Sequence, residues 1–267
     1  MVQCCDYPWD VAEEPFRITT IVYYVSGIYW VCCFFLDSGD GLILLDCGMA
    51  NTAYLLLESI RKLGYDPKDI RTIMISHAHY DHCGAARLLK EYTCAKLYMG
   101  ERDMPFIREK TNLVFSSGYP FSTFQVDAYY DDDLPISIGR FNIRTMSTPG
   151  HTPGCTSFFF EDTDEETNRT YRCAIHGGVG LNTLTDQYFE ETGEPVTLRQ
   201  SYRKGMLRAL DEVVDIVLPS HPNQTQMFQR NIDFANHKYP QEDSRLWREF
   251  ISERLTMLDE LEKNSKL

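Results

Sequence analysis

The stretch that most constrains this chain is Ser76-His77-Ala78-His79-Tyr80-Asp81-His82-Cys83-Gly84. It follows Ile70 to Ile75, a short and largely apolar run that reads as a strand buried on both faces. Three histidines and an aspartate from His77 to His82 exceed what packing needs, so the fold must carry this strand end to a place where polar side chains converge. His77 and His79 are two apart; in an extended segment both point the same way and can share one metal. Asp81 and His82 lie where the chain turns into a helix, and can face a second. Imidazole and carboxylate are ligands that suit Zn²⁺, Fe²⁺ or Mn²⁺.

Each metal then lacks a ligand, and two further histidines sit in turns that follow strands. His151 lies in Thr148-Pro149-Gly150-His151-Thr152-Pro153-Gly154, where two Pro-Gly pairs set a turn. His221 lies in Pro219-Ser220-His221-Pro222, after the apolar Ile216 to Leu218. The sum is three ligands for each of two metals, with positions left open for water and substrate, as a catalytic site requires.

The remaining chain reads as alternating strands and helices. Strands are expected at Phe16–Tyr24, Tyr29–Leu36, from Leu42, at Ala95–Met99, Phe141–Met146, Ser157–Phe160, Tyr171–Ile175 and Ile216–Leu218. Glu161 to Thr170 is expected to be a hairpin. Helices are expected after Asn51 as a cap, and over Ala85–Tyr92, Leu198–Glu212 and Asp243–Glu262. Residues 103–133 read as a long loop with a short helix, ending in the solvated turn Asp131-Asp132-Asp133. With no linker, repeat or low-complexity tract, residues 1–267 are read as one α/β domain.

Acidic residues outnumber basic ones 39 to 26, a formal charge of −13 that disfavours a nucleic-acid partner. Nine cysteines, with adjacent pairs at Cys4-Cys5 and Cys32-Cys33, do not form a secreted disulfide pattern. Met1 to Pro15 holds no Lys or Arg, unlike a secretory leader, and the apolar stretch Ile21 to Leu36 is short and broken at Ser26-Gly27. A cytoplasmic protein with no membrane partner is expected, acting on a small molecule.

His-x-His-x-Asp-His, a later Thr-Pro-Gly-His-Thr-Pro-Gly and a late Ser-His resemble the metallo-β-lactamase superfamily, from about Pro15 to His221. Phe16-Arg17-Ile18, Tyr23-Tyr24-Val25 and His151-Thr152-Pro153-Gly154-Cys155-Thr156-Ser157 look most like its third subclass, which uses no cysteine ligand. The resemblance implies an αββα sandwich, two mixed sheets packed face to face with helices outside. It implies one zinc on His77, His79 and His151, a second on Asp81, His82 and His221, and Asp46 as a buried aspartate orienting a ligand histidine. Cys83 and Cys155, although beside ligands, are not expected to touch metal. The bridging aspartate of the glyoxalase-type and lactonase branches has no counterpart in Cys173-Ala174-Ile175-His176-Gly177-Gly178-Val179-Gly180. Gly178 stands where the third subclass often has Ser, and His176 is a candidate substrate contact.

What the resemblance implies is a binuclear zinc hydrolase in which a hydroxide shared by the metals opens a β-lactam or similar amide, Asp81 orienting the nucleophile. A cytosolic lactonase, thioesterase or other metabolite hydrolase on the same site is the alternative. A di-iron redox or metal-sensing protein would need a partner domain for which the chain has no room, and an RNA-processing nuclease conflicts with the charge.

Overall fold

In the computed structural model the described residues are 2–164, 167–230 and 242–266. Strands β1 (Phe16–Arg17), β2 (Val22–Tyr24), β3 (Phe34–Asp37), β4 (Leu42–Leu45), β5 (Ile70–Met74), β6 (Lys96–Met99) and β7 (Ala128–Tyr129) form one sheet in chain order. The pairs from β1 to β4 are antiparallel and those from β4 to β7 parallel. The second sheet runs β12 (Ile216–Leu218), β11 (Arg169–Ile175), β10 (Thr156–Asp164), β9 (Phe141–Ser147), β8 (Ile136–Ile138), with only the β11–β12 pair parallel.

Alternation along the strands decides which face meets which layer. Phe34, Leu36, Ile43, Leu45 and Met74 of the first sheet pack against Phe141, Ile143, Phe158, Phe160, Cys173 and Ile175 of the second. The alternate residues Phe35, Leu42, Leu44 and Ile73 face outward under the helices Ala53–Lys62 and Ala86–Thr93. On the far side Met146, Phe159, Ala174 and Val217 lie under the helices Leu198–Leu210 and Leu246–Lys263. The layers are helix, sheet, sheet, helix, the αββα sandwich that the resemblance implied.

Several local expectations are corrected. Phe16–Tyr24 is two short strands joined by a turn, in which the Thr19 hydroxyl accepts the Val22 amide (3.1 Å). Tyr29–Leu36 becomes strand only at Phe34, because the Cys32 amide donates to Ser220 O (2.9 Å) outside the sheet. Asn51 does not cap its helix; its amide donates to Cys5 O (2.7 Å) from within a 3₁₀ turn. The loop expected at 103–133 also holds β7, and β8 follows it. The acidic triplet does form a turn, but Asp132 accepts the Ser147 amide (2.7 Å) and Arg208 (2.8 Å) rather than facing water alone. The expected hairpin over 161–170 is present, its two antiparallel strands paired as far as Asp164 with Arg169; residues 165 and 166 lie outside the described ones.

The last helix is pinned by Trp247, which is buried against Phe159 (centroids 5.7 Å apart) and donates its indole N–H to Ala209 O (2.7 Å). No helix among the described residues is long and apolar enough to cross a membrane. Trp247→Ala is expected to lower unfolding free energy by about 3–5 kcal/mol, read from the urea midpoint at constant m.

Candidate metal centre

The six candidate ligands named from the sequence meet at one edge of the sandwich, beyond the carboxyl ends of β5, β9 and β12. The ligand atoms of His77, His79 and His151 lie within 4.8 Å of one another, and so do those of Asp81, His82 and His221. The triads adjoin through His77 and His82, whose ring centroids are 4.1 Å apart. Within the first, His79 Nδ1 stands 2.9 Å from His151 Nε2. In the second, Asp81 Oδ2 lies 3.5 Å from His221 Nε2 and 3.8 Å from His82 Nε2.

One carboxylate sets the rings of both triads. Asp46 follows β4 with φ 57°, a left-handed conformation unusual for a residue with a side chain. Its Oδ1 accepts the Ser76 amide (2.7 Å), and its Oδ2 accepts the Ser76 hydroxyl (2.7 Å) and His82 Nδ1–H (2.7 Å). The Ser76 hydroxyl has one proton, committed to Asp46, so His77 Nδ1–H is the donor in its 3.0 Å contact with Ser76 Oγ. Both histidines therefore present a bare Nε2 to the centre. His151 and His221 are fixed likewise, by Nδ1–H donated to Gly180 O (2.8 Å) and Trp30 O (2.7 Å). Outer bonds of this kind aim ligating imidazoles and set their tautomer.

The donor set fits a divalent cation. His77 Nε2 is buried with no hydrogen-bond partner among the described residues, and His79 and His151 turn ring nitrogens toward each other at 2.9 Å. Burial drives His77 and His79 well below the ordinary imidazole pKa, takes His151 down to about 4 and lowers His221, so these rings are neutral and able to ligate. Burial pulls His82 the same way but is outweighed by Asp81 and Asp46, which raise it. Burial would raise Asp81, yet the imidazoles of His82, His221 and His79 hold its carboxyl well below the usual range.

A second carboxylate, unnoticed in the sequence, joins two of the ligand-bearing turns. Asp103 is fully buried; its Oδ2 accepts the Ala78 amide (2.8 Å) and the Thr152 hydroxyl (2.7 Å), and its Oδ1 the Gly154 amide (2.6 Å). Burial outweighs these donors and pushes its pKa up to about 6. Its position just before Met104-Pro105 suggests a helix cap, but the side chain makes no cap bond and reaches across to the turns instead. The loop after β11 closes on His151 from the other side. A Cβ on Gly178 would lie 2.6 Å from His151 Cδ2, and one on Gly180 2.7 Å from His151 Cε1, so only glycine allows this approach.

The centre lines a cavity of about 710 Å³ whose wall includes Tyr29, Trp30, Phe115, Asn182, Asn223, Gln224, Arg254 and Met257. Asp81 is the only carboxylate among the described lining residues. His176 is not brought to the cavity: its ring is buried beside Trp247 (6.3 Å between centroids), because the chain enters the cavity wall only at Gly177. That removes it as a substrate contact. Cys83 and Cys155 are buried outside both triads, and burial raises both thiols. Phe115, Arg254 and Met257 were missed because their segments reach the site only through the tertiary fold.

Fold and site together define a metal-dependent hydrolase. Residues 31–164 match the metallo-beta-lactamase superfamily, and the chain belongs to that superfamily. It is similar to the solved metallo-beta-lactamase GOB-18 of Elizabethkingia meningoseptica, at 26% identity and a TM-score of 0.85, over 97% of this chain and 96% of that one. The fold is also that of BJP-1, a subclass B3 metallo-beta-lactamase of Bradyrhizobium japonicum (24% identity, TM-score 0.84, 95% of each chain). The hydroxyacylglutathione hydrolase GloC of Haemophilus influenzae is 24% identical over 219 residues, 80% of this chain and 96% of its own.

Ser76→Ala removes the link between Asp46 and His77. It is expected to weaken binding of one zinc equivalent by about 10-fold or more while the other stays near wild type, read by competition with a chromophoric chelator. Asp103→Asn turns an amide N–H toward a backbone N–H in either flip, and should lower stability by about 1–3 kcal/mol in urea unfolding.

Proposed function

We propose that this protein is a dizinc hydrolase that opens a β-lactam or similarly activated amide. The reading is carried by two adjoining triads, one of three histidines and one of Asp81, His82 and His221, in one cavity where Asp81 is the only carboxylate among the described lining residues. The likeness to GOB-18 supports the same substrate class. His77, His79 and His151 would hold one zinc, and Asp81, His82 and His221 the other, with Asp46 aiming His77 through Ser76 and His82 directly. Zinc in such a setting lowers the pKa of water toward about 7 and polarises a carbonyl.

The chain's own residues orient the water and line the site. Asp81 is held ionised by its neighbours, and its carboxylate can accept a hydrogen bond from the attacking water and so orient it. Phe115, whose ring centroid is 4.9 Å from that of His79, borders one side of the centre, and Trp30, 6.0 Å from the His221 ring, borders another. No side-chain nucleophile is needed.

A second reading, hydrolysis of a thioester or lactone by the same residues, is favoured by the likeness to GloC. A chromogenic cephalosporin and a panel of lactones and thioesters, each with zinc and with chelator, separate the two. Cephalosporin turnover abolished by chelator and restored by zinc is the expected result; turnover of lactones or thioesters alone puts the second reading first, and turnover that survives complete metal removal rejects both. His79→Ala should lose at least about 100-fold in kcat/KM together with about one zinc per chain.

A further inference from the structure

The helix Leu246–Lys263 buries Trp247, Phe250, Ile251 and Leu258, a stripe at helical spacing in which Arg254 falls at the next position. A guanidinium on the apolar stripe is anomalous unless something polar meets it there. Its side chain is only 13% exposed and lies in the wall of the metal-site cavity, where it is the only Lys or Arg among the described lining residues.

The group is held but not used up. Its guanidinium carbon lies 4.9 Å from the centroid of the Phe250 ring, and Nη1 lies 3.1 Å from Met257 Sδ. Its one carboxylate contact among the described residues is Nη1 to Glu253 Oε2 at 3.0 Å, and Glu253 is 62% exposed. Such an exposed pair contributes little and yields readily to a better partner. Nε and Nη2 have no hydrogen-bond partner among the described residues, nor are they sealed from solvent. Other arginines of the protein are spent on the fold, as Arg172 is on both oxygens of Asp215 and Arg199 on Asp186.

We infer that Arg254 is the anion anchor of this cavity, taking the carboxylate of an acyl substrate on its free edge and so restricting the enzyme to anionic substrates. The inference deepens the proposed function and rests on it for the location of the reacting carbonyl. A planar, permanently charged fork is matched to a carboxylate. In a chain of net charge −13, a local cation favours the entry of an anion. The residue positions substrate and takes no part in bond cleavage.

Two measurements test it. For a lactam and the same lactam with its carboxylate changed to carboxamide, Arg254→Met should raise KM for the acid by about 10–100-fold, leave kcat within about 3-fold, and leave the carboxamide unaffected. Arg254→Lys should recover part of the loss, and zinc content should match wild type in both variants. Independently of turnover, N-phenylacetylglycine and its carboxamide are titrated calorimetrically into chelator-treated protein, so that no metal can take the carboxylate. Wild type should prefer the acid by about 10-fold or more, and Arg254→Met should lose the preference. Absence of the preference in wild type, or its survival in Arg254→Met, overturns the assignment. The titration involves no hydrolysis, so failure of the chelator assay rejects the proposed function without deciding the fate of Arg254.

Discussion

A carboxylate buried at the end of β4 must find several donors or be expelled, since an uncompensated charge in that position is costly. Asp46 finds the Ser76 amide, the Ser76 hydroxyl and the His82 ring, and in accepting all three it settles how two histidines face. His77 belongs to one triad and His82 to the other, so one ring of each is set by four oxygen–proton contacts around one side chain and its serine. The left-handed backbone at Asp46 is part of the same solution, because it turns the carboxylate back across the end of β5. Strain at a non-glycine residue persists where the surroundings over-determine it, and here they do.

Asp103 performs the corresponding task between turns. By holding Ala78, Thr152 and Gly154 together it binds the strand end of one sheet to that of the other, while Gly178 and Gly180 press on His151 from the opposite side. The centre is therefore clamped at the edge of the sandwich, where the cavity opens. The last helix closes that cavity and is itself anchored through Trp247, so that a packing contact in the outer layer decides where Arg254 stands relative to the metal ligands.

Much of this was legible before any coordinates. Two imidazoles two apart after an apolar run, an Asp-His pair just beyond and a His in each of two turns after strands together exceed what packing needs, so the six candidate ligands were readable from local spacing. Strand ends were less legible where a partner elsewhere overrides propensity. Residues from Tyr29 to Cys33 have strand character but leave the sheet, because Trp30 O and the Cys32 amide bond to the His221 turn. His176 follows the same logic in reverse, a histidine after a strand whose ring the fold turns into the core rather than the cavity.

The sequence by itself determined the candidate donor residues, their placement at strand ends and the α/β character, since each is a matter of residue type and short-range spacing. Only the tertiary structure decided that Asp103 spans two turns, that Ser76 relays Asp46 to His77, and that Arg254 and Phe115 border the reacting centre. Those relations join residues from 25 to more than 100 positions apart, or depend on which way a single hydroxyl proton points, and neither propensity nor periodicity carries that information. They follow from how the two sheets and their outer helices close on one another, with each buried polar group left to find the partners that packing brings within reach.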